Sequence, residues 1–130
     1  MITYPFPEYP VQRGYCVFSR VLEECSLTLF HATPFENFYL IIDEGFKSDY
    51  QLNGGDVRSV SFAKRSCSAL DHGMRKRGKN QVKWCIFAVR YKTLDRAGLR
   101  INTSYIHDDT LDPPPEIIGY CIVPANYVHK

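Results

Sequence analysis

The stretch of sequence that decides the fold runs from Ser26 to Phe46 and reads SLTLFHATPFENFYLIIDEGF. Its first residues largely alternate between apolar and polar, which predicts a β-strand over Ser26–His31. Pro34 suits the first turn of a helix, with Thr33 as the capping residue before it. Gly45 ends this helix, since glycine readily takes the conformation found just after a helix. The stretch therefore predicts a strand that leads directly into a short helix.

The same cues, followed in both directions, predict the remaining elements. Residues 1–14 contain 3 prolines and predict an extended arm. Residues 15–24 fit either a short strand from Tyr15 to Phe18 or a helix through Glu24, and both alternatives stay open. The downstream elements are strands over Val57–Ala63, Val82–Tyr91 and Glu116–Val123, a helix from the capping residue Ser66 to about Arg77 stopped by Gly78, an irregular segment over Leu94–Tyr105, and polar loops over Ser48–Asp56 and His107–Pro115. This order predicts an α+β fold with short helices on a mixed or split β-sheet.

Composition places the chain among single-domain proteins. Its 130 residues fit one domain, with residues 1–25 as an N-terminal arm or helix. No apolar run approaches the roughly 20 residues of a membrane span, and the N-terminus lacks the basic and apolar regions of a signal peptide. The 5 cysteines include no CxxC pair, which argues against a zinc site or a disulfide framework and suits a reducing compartment. These features predict a cytoplasmic protein, in the producing cell or in a host cell, that does not act at a membrane.

Basic residues are concentrated in the middle of the chain, although the net charge is only +2. This basic cluster comprises Lys64, Arg65, Arg75, Lys76, Arg77, Lys79 and Lys83. Such a cluster could contact phosphate groups. If the protein acts on nucleic acid, the residues expected to form the track are Arg75, Lys76, Arg77 and Lys79. The alternative is a solvated helix end and loop, which is the commoner role of a charged run.

Three short segments combine residue types that bind small molecules. The first, Leu29–Thr33, is a strand that ends in His31, a small residue and a hydroxyl. The second, Gly55–Ala63, continues into Ser66-Cys67-Ser68-Ala69. The third places Glu116 after 3 prolines, at the start of the last strand. Any one of these residues alone usually has an ordinary structural role, so their order carries the information.

In this order, the segments resemble the ADP-ribosyltransferase superfamily, and more closely its diphtheria-toxin-like branch, which includes the poly-ADP-ribose polymerases. That branch has a strand ending in His, a small residue and Ser or Thr. A helix with an Asn follows, then a second strand before a Ser-Ala pair, and a late strand that begins with the catalytic Glu. The matching residues, between about 27 and 128, are His31-Ala32-Thr33, Asn37, Gly45-Phe46, Ser61-Phe62-Ala63, Ser68-Ala69, Glu116 and Pro124-Ala125-Asn126-Tyr127-Val128.

The resemblance implies NAD as co-substrate and a role for each matched residue. The backbone of Ala32 would hold the amide of nicotinamide, and His31 would bond a hydroxyl of the adenosine ribose. Ser68 would bond the amide oxygen of nicotinamide. Glu116 would stabilise the positive charge that develops on the nicotinamide ribose. The implied catalytic residues are Glu116, His31 and Ser61, and the implied NAD-binding residues are His31, Ala32, Thr33, Ser61, Phe62 and Ser68, with no metal ligand.

Two positions depart from the pattern of that branch. Ser61 stands where the branch has Tyr, and Ser59-Val60-Ser61 is similar to the Ser-x-Ser of the cholera-toxin-like branch, whose first strand carries Arg rather than His. Glu116 stands two residues before Ile118, the position that the downstream match gives. A shift of two residues keeps the same face of a strand. The other late carboxylates are expected in a polar and mobile loop, and they are Asp108, Asp109 and Asp112.

The resemblance implies a mono-ADP-ribosyltransferase, a glycosyltransferase that moves ADP-ribose from NAD to a macromolecule and releases nicotinamide. A protein is favoured over a nucleic acid as the acceptor, and the small size suits a toxin or a phage-type effector. One alternative is a non-catalytic module that binds NAD, ADP-ribose or a protein partner, and it gains if Glu116 points away from the cleft. A second alternative is an enzyme similar to the RNA 2′-phosphotransferases of the same fold, which would need a basic pocket.

Overall fold

A computed structural model of the chain describes residues 1–6, 17–48, 51, 54–57 and 59–129. The strands are β1 Ile2–Tyr4, β2 Thr28–Pro34, β3 Val60–Ala63, β4 Trp84–Arg90, β5 Leu99–Ile101, β6 Tyr105–Asp108 and β7 Glu116–Val123. The helices are α1 Arg20–Glu23, the 3-10 turn Phe35–Asn37, α2 Phe38–Glu44 and α3 Ser66–Arg77. The predicted α+β class is confirmed.

The strands form one mixed sheet of 7 strands in the order β1-β7-β4-β2-β3-β6-β5. β1 pairs in parallel with β7, and the other neighbours are antiparallel. β2 and β4 pair along their whole length, from Thr28 opposite Arg90 to Pro34 opposite Trp84. By contrast, the register between β2 and β3 contains the single pair Phe30 and Ala63. The sheet is therefore nearly divided between β2 and β3.

β4 is buried on both faces, which places it at the centre of the fold. Alternate residues from Trp84 to Val89 belong to two apolar clusters, one on each side of the sheet. α1 and α3 cover the first cluster, and α2 covers the second. Gly73 lets α3 approach the sheet closely, because a Cβ at that position would lie 3.0 Å from the Cβ of Ala32 and 3.0 Å from the Trp84 ring.

The end of β2 differs from the prediction. The sequence predicts that a helix starts at Pro34 with Thr33 as its cap, but Pro34 is the last residue of the strand and has an extended ψ of 142°. The 3-10 turn follows, and Asn37 is the N-cap of α2. The hydroxyl of Thr33 accepts a hydrogen bond from the Asn37 side chain at 3.0 Å. The predicted end at Gly45, where φ is 80°, is confirmed.

α3 occupies the predicted range from Ser66 to Arg77, but its cap comes from elsewhere. The N-cap position is Arg65. The carboxylate of Glu23 in α1 accepts hydrogen bonds from the Ser66 backbone N–H at 3.0 Å and from the Ser66 hydroxyl at 2.8 Å. A carboxylate at a helix N-terminus is stabilising, because it meets the free N–H groups and the positive end of the helix dipole. The short helix α1 thus holds the start of α3.

The segment between Leu94 and Pro115 is more regular than predicted. It contains β5 and β6, which pair with each other, and β6 also pairs with β3. Asp108, expected in a mobile loop, is completely buried. Its carboxylate accepts hydrogen bonds from the Tyr91 hydroxyl at 2.8 Å and from Arg96 at 2.5 Å. Pairing with β3 and this buried ion pair order a segment whose polar sequence predicts a loop.

The N-terminal region and the start of β3 also differ from prediction. Ile2–Tyr4 forms the edge strand β1 within the predicted arm. Of the two alternatives for residues 15–24, a short helix is observed from Arg20. β3 begins at Val60 rather than at Val57. The rest of the arm (7–16), residues 49, 50, 52 and 53 of the predicted polar loop, and Arg58 lie outside the described residues.

Candidate functional site

The candidate site is built where β2 and β3 separate. Beyond the pair of Phe30 and Ala63, the two strands share no further register pair. Instead, Nδ1 of His31 lies 2.8 Å from the backbone carbonyl oxygen of Ser61. A carbonyl oxygen only accepts, so His31 Nδ1 carries the proton and donates it. The imidazole therefore bridges two strands that are no longer joined by their backbones.

A cavity of about 1020 Å³ opens at this point. Its walls come from the end of β2, from β3 and β6, from the segment after α2, and from one side of α3. Aromatic side chains contribute to its lining, among them Trp84 and Tyr105. A cavity of this size is at the upper end of the range for small-molecule sites.

The ring of His31 lies between two aromatic side chains at the wall of the cavity. Its ring packs against the rings of Phe46 and Phe62, with centroid distances of 5.2 Å and 5.6 Å. Burial lowers the pKa of His31 below its ordinary value, and the nearby charge of Lys76 lowers it further, against the opposing effect of the bond to the Ser61 carbonyl. At neutral pH the ring is neutral, and with the proton on Nδ1 its Nε2 is a hydrogen-bond acceptor.

Ser61 lies between two imidazoles. Its carbonyl oxygen accepts from His31, and its Oγ lies 2.6 Å from Nδ1 of His107 on β6. Ser61 is directly opposite His107 in the register of β3 and β6. Nε2 of His107 in turn lies 3.2 Å from the side-chain nitrogen of Asn102. The side chain of Ser61 is exposed toward the cavity.

The electrostatic character of the cavity is basic. Within the part of the chain that the structure describes, no carboxylate lines it, whereas Lys47, Arg75 and Lys76 do. Arg75 forms an ion pair with Asp71 at 2.9 Å, and Lys47 with Glu44 at 3.3 Å. Partial burial lowers the pKa of His72 on the same wall, with Lys76 and Arg75 adding to the effect. Such a lining favours a ligand that carries negative charge.

The structure brings together four of the residues that the sequence predicts for the site. His31, Ala32, Thr33 and Ser61 all line the cavity. Phe62 is completely buried and packs under His31, so it supports the site without facing the cavity. The Ser68 side chain does not line the cavity; its backbone carbonyl accepts a hydrogen bond from the Tyr105 hydroxyl at 3.3 Å.

The structure does not bring Glu116 to His31 and Ser61. Glu116 is exposed, begins β7 and pairs with Arg90 of β4, which in turn pairs with Thr28. Two strand spacings and three residues along β2 therefore separate Glu116 from His31, a distance of about 14 Å between backbone positions. In the order of the sheet, β4 and β2 lie between β7 and β3.

The predicted basic cluster does not act as one surface. Arg75 and Lys76 line the cavity, but Arg77 is buried. The guanidinium of Arg77 donates to the backbone carbonyls of Pro124 and Tyr127, which holds the C-terminal segment against α3. Arg77 therefore has a structural role and does not belong to the track that is expected if the acceptor is nucleic acid.

His107 and Asn102 are the residues of the site that sequence reasoning missed. The signal was present in β6, where Tyr105 and His107 face the cavity while Ile106 and Asp108 are buried. This alternation has the period of a strand, but the neighbouring acidic and proline residues favour a loop. The pairing of β6 with β3 is a long-range contact that no local pattern contains.

Comparisons with known proteins add no family to this picture. Searches with family models and against curated proteins both found no match.

Within the described residues, no helix is both long enough and apolar enough to cross a membrane. Nor do the described histidine, cysteine and acidic side chains form a group of three or more that could hold a metal ion.

Proposed function

We propose that the cavity binds NAD and that the protein transfers ADP-ribose from NAD to a macromolecular acceptor, with release of nicotinamide. The observation that carries the proposal is the meeting of His31 and Ser61. These residues come from two separate segments that each resemble a part of the ADP-ribosyltransferase pattern. They lie across one opening in the sheet, joined by a hydrogen bond of 2.8 Å.

The chemistry of the lining fits the parts of NAD. The basic side chains of Arg75 and Lys76 at the wall of the cavity suit the diphosphate, because cationic groups attract phosphate oxygens. The neutral His31 offers Nε2 as an acceptor for a ribose hydroxyl, and the half-buried ring of Tyr105 offers a surface for a planar base. Together, these groups can hold a dinucleotide and orient its glycosidic bond.

The proposal assigns the chain's own residues to binding and orientation. Breaking the bond between ribose and nicotinamide develops positive charge on the ribose, which polar groups placed in advance can stabilise. The Ser61 hydroxyl and the backbone at Ala32 are neutral dipoles of residues that line the cavity. Glu116 has no part in this assignment because it does not line the cavity.

A non-catalytic binding module on the same cavity is the second candidate. It is favoured by the position of Glu116 and by the absence of a carboxylate among the described cavity residues. Such a module would bind NAD or ADP-ribose but would leave the glycosidic bond intact.

One experiment separates the two candidates. The purified protein is incubated with NAD labelled in its adenylate phosphate, with and without cell lysate, and with RNA that carries a 2′-phosphate because the basic wall suits that group. Released nicotinamide and labelled macromolecules are measured. Transfer is expected for the wild type and for Ser104→Ala, an exposed serine outside the cavity, and it should fall at least about tenfold in Ser61→Ala. If the protein binds NAD tightly but releases no nicotinamide, the binding module is favoured. If the protein neither binds NAD nor releases nicotinamide, the proposal is refuted.

A further inference from the structure

The side chain of Asn102 has a fixed orientation beside His107. Its Oδ1 accepts hydrogen bonds from two backbone N–H groups, that of Tyr105 at 2.9 Å and that of Ser104 at 3.3 Å. Backbone N–H groups only donate, so the oxygen of the amide must face them. The amide nitrogen of Asn102 therefore points at Nε2 of His107, 3.2 Å away.

This orientation determines which nitrogen of His107 carries the proton. The Asn102 nitrogen is a donor, so Nε2 of the neutral His107 ring must accept. The proton of the ring is then on Nδ1, which lies 2.6 Å from Ser61 Oγ. His107 therefore donates to Ser61, and the oxygen of Ser61 accepts.

The hydroxyl of Ser61 has its own proton left to donate. Its side chain is exposed at the wall of the cavity, and among the described residues its Oγ has a hydrogen bond with His107 only. We infer that Asn102 and His107 form a relay that holds the Ser61 hydroxyl as a hydrogen-bond donor to the bound ligand. The ligand atom at Ser61 is then an acceptor, namely a carbonyl or phosphoryl oxygen. The ligand class rests on the proposed function, whereas the relay does not.

The relay makes Asn102 and His107 positioning residues and excludes one mechanism. His107 has the proton on the nitrogen that faces Ser61, so it cannot remove the Ser61 proton as a general base. Asn102→Asp reverses this polarity, because a carboxylate accepts from Nε2–H and leaves Nδ1 free to accept from Ser61. The replacement keeps the size of the side chain and its bonds to the two backbone N–H groups.

The imidazole nitrogen shifts of His107, measured by NMR in the ligand-free protein, test the relay. The expected result is the Nδ1–H tautomer in the wild type and the Nε2–H tautomer in Asn102→Asp. Asn126→Asp is the matched control, because it makes the same chemical change at an exposed residue without hydrogen-bond partners among the described side chains. An Nε2–H tautomer in the wild type would overturn the relay.

Binding measurements test the ligand class. Nicotinamide has a carbonyl but no phosphate, and ADP-ribose has phosphates but no carboxamide. One of the two compounds is expected to place its oxygen at Ser61. The affinity for that compound should fall about three- to tenfold in Ser61→Ala, because one hydrogen bond is lost. It should fall at least as much in Asn102→Asp. Unchanged affinity for both compounds in Asn102→Asp would refute the donor role. If neither compound binds the wild type, the proposed function fails, and the NMR result still decides the relay.

Discussion

Replacement of Asp108 by Asn tests whether a buried ion pair holds the strand that carries His107. Asp108 is completely buried at the end of β6. One carboxylate oxygen accepts from the Tyr91 hydroxyl and from Arg96, and the other accepts from the backbone N–H groups of Thr110 and Leu111. Asn keeps the size of the side chain and an oxygen for the backbone groups, but it removes the charge that Arg96 faces.

The expected loss of stability follows from the burial of both partners. The Arg96 side chain is only 13% exposed, and its guanidinium lies 2.5 Å from the carboxylate. Removal of one partner from a buried pair costs about 3 to 5 kcal/mol, because the other charge stays buried without compensation. Arg96 also donates to the Pro113 carbonyl at 2.7 Å, which reduces this penalty. We therefore expect a loss of about 3 kcal/mol, or a Tm lower by about 10 °C for a domain of this size.

Thermal and urea denaturation, followed by circular dichroism, measure this loss. Asp112→Asn is the matched control, because Asp112 is exposed and such replacements change stability by about 0.5 kcal/mol or less. A Tm for Asp108→Asn within about 2 °C of the control would contradict the reasoning. It would mean that Arg96 finds other partners and that β6 does not depend on the pair.

Three further predictions concern the site and its support. On the proposed function, Glu116→Gln should leave nicotinamide release within about threefold of the wild type, and a loss of about a hundredfold would restore Glu116 to the catalytic residues. Since the folded pKa of His31 is lowered, the unfolded chain binds the proton more readily, and the free energy of unfolding should fall as the pH drops below about 6.5. Urea titrations at several pH values measure the free energy of unfolding as a function of pH. This dependence on pH should be shallower for His31→Asn than for the wild type, and an unchanged dependence would count against the assignment to His31. Gly73→Ala should cost about 1 to 2 kcal/mol in urea, because contact with Ala32 and Trp84 outweighs the gain in helix propensity, and equal stability would show that α3 can shift.

The sequence predicts best those elements whose pattern of residues is strong within the element itself. The strand Glu116–Val123 has the predicted bounds, and the helix from Ser66 to Arg77 ends at the predicted glycine. An apolar run of strand-forming residues identifies the first, and helix formers before a glycine identify the second. Pro34 is the instructive error, because proline fits the first turn of a helix and the end of a strand equally well. Pairing with Trp84 decides between them.

The candidate site is predicted less completely because it depends on the order of the strands. His31 and Ser61 are each found from a segment of their own, and the sequence associates them only through the resemblance. The register of β3 with β6 brings His107 to Ser61, and it joins residues 46 positions apart. The short strands β5 and β6 have little apolar sequence to identify them. Their regular structure depends on pairing with neighbouring strands and on the buried carboxylate of Asp108. Local patterns hold no information on such pairs.

The order of the strands also changes which acceptor the proposed function favours. In the sequence, Glu116 stands two residues before the position that the downstream match gives, a shift that a slightly longer strand could absorb. In the sheet, β4 and β2 lie between β7 and β3, and Glu116 does not line the cavity. The described cavity wall then has no negative charge to meet the positive charge that develops on the ribose. An acceptor with a phosphate would supply that charge itself, and as an anion it needs no base to become a nucleophile. On the proposed function, we therefore expect a phosphate-bearing acceptor to react better than a neutral protein side chain. The RNA with a 2′-phosphate should be labelled more strongly than lysate protein, and the reverse order would refute this expectation.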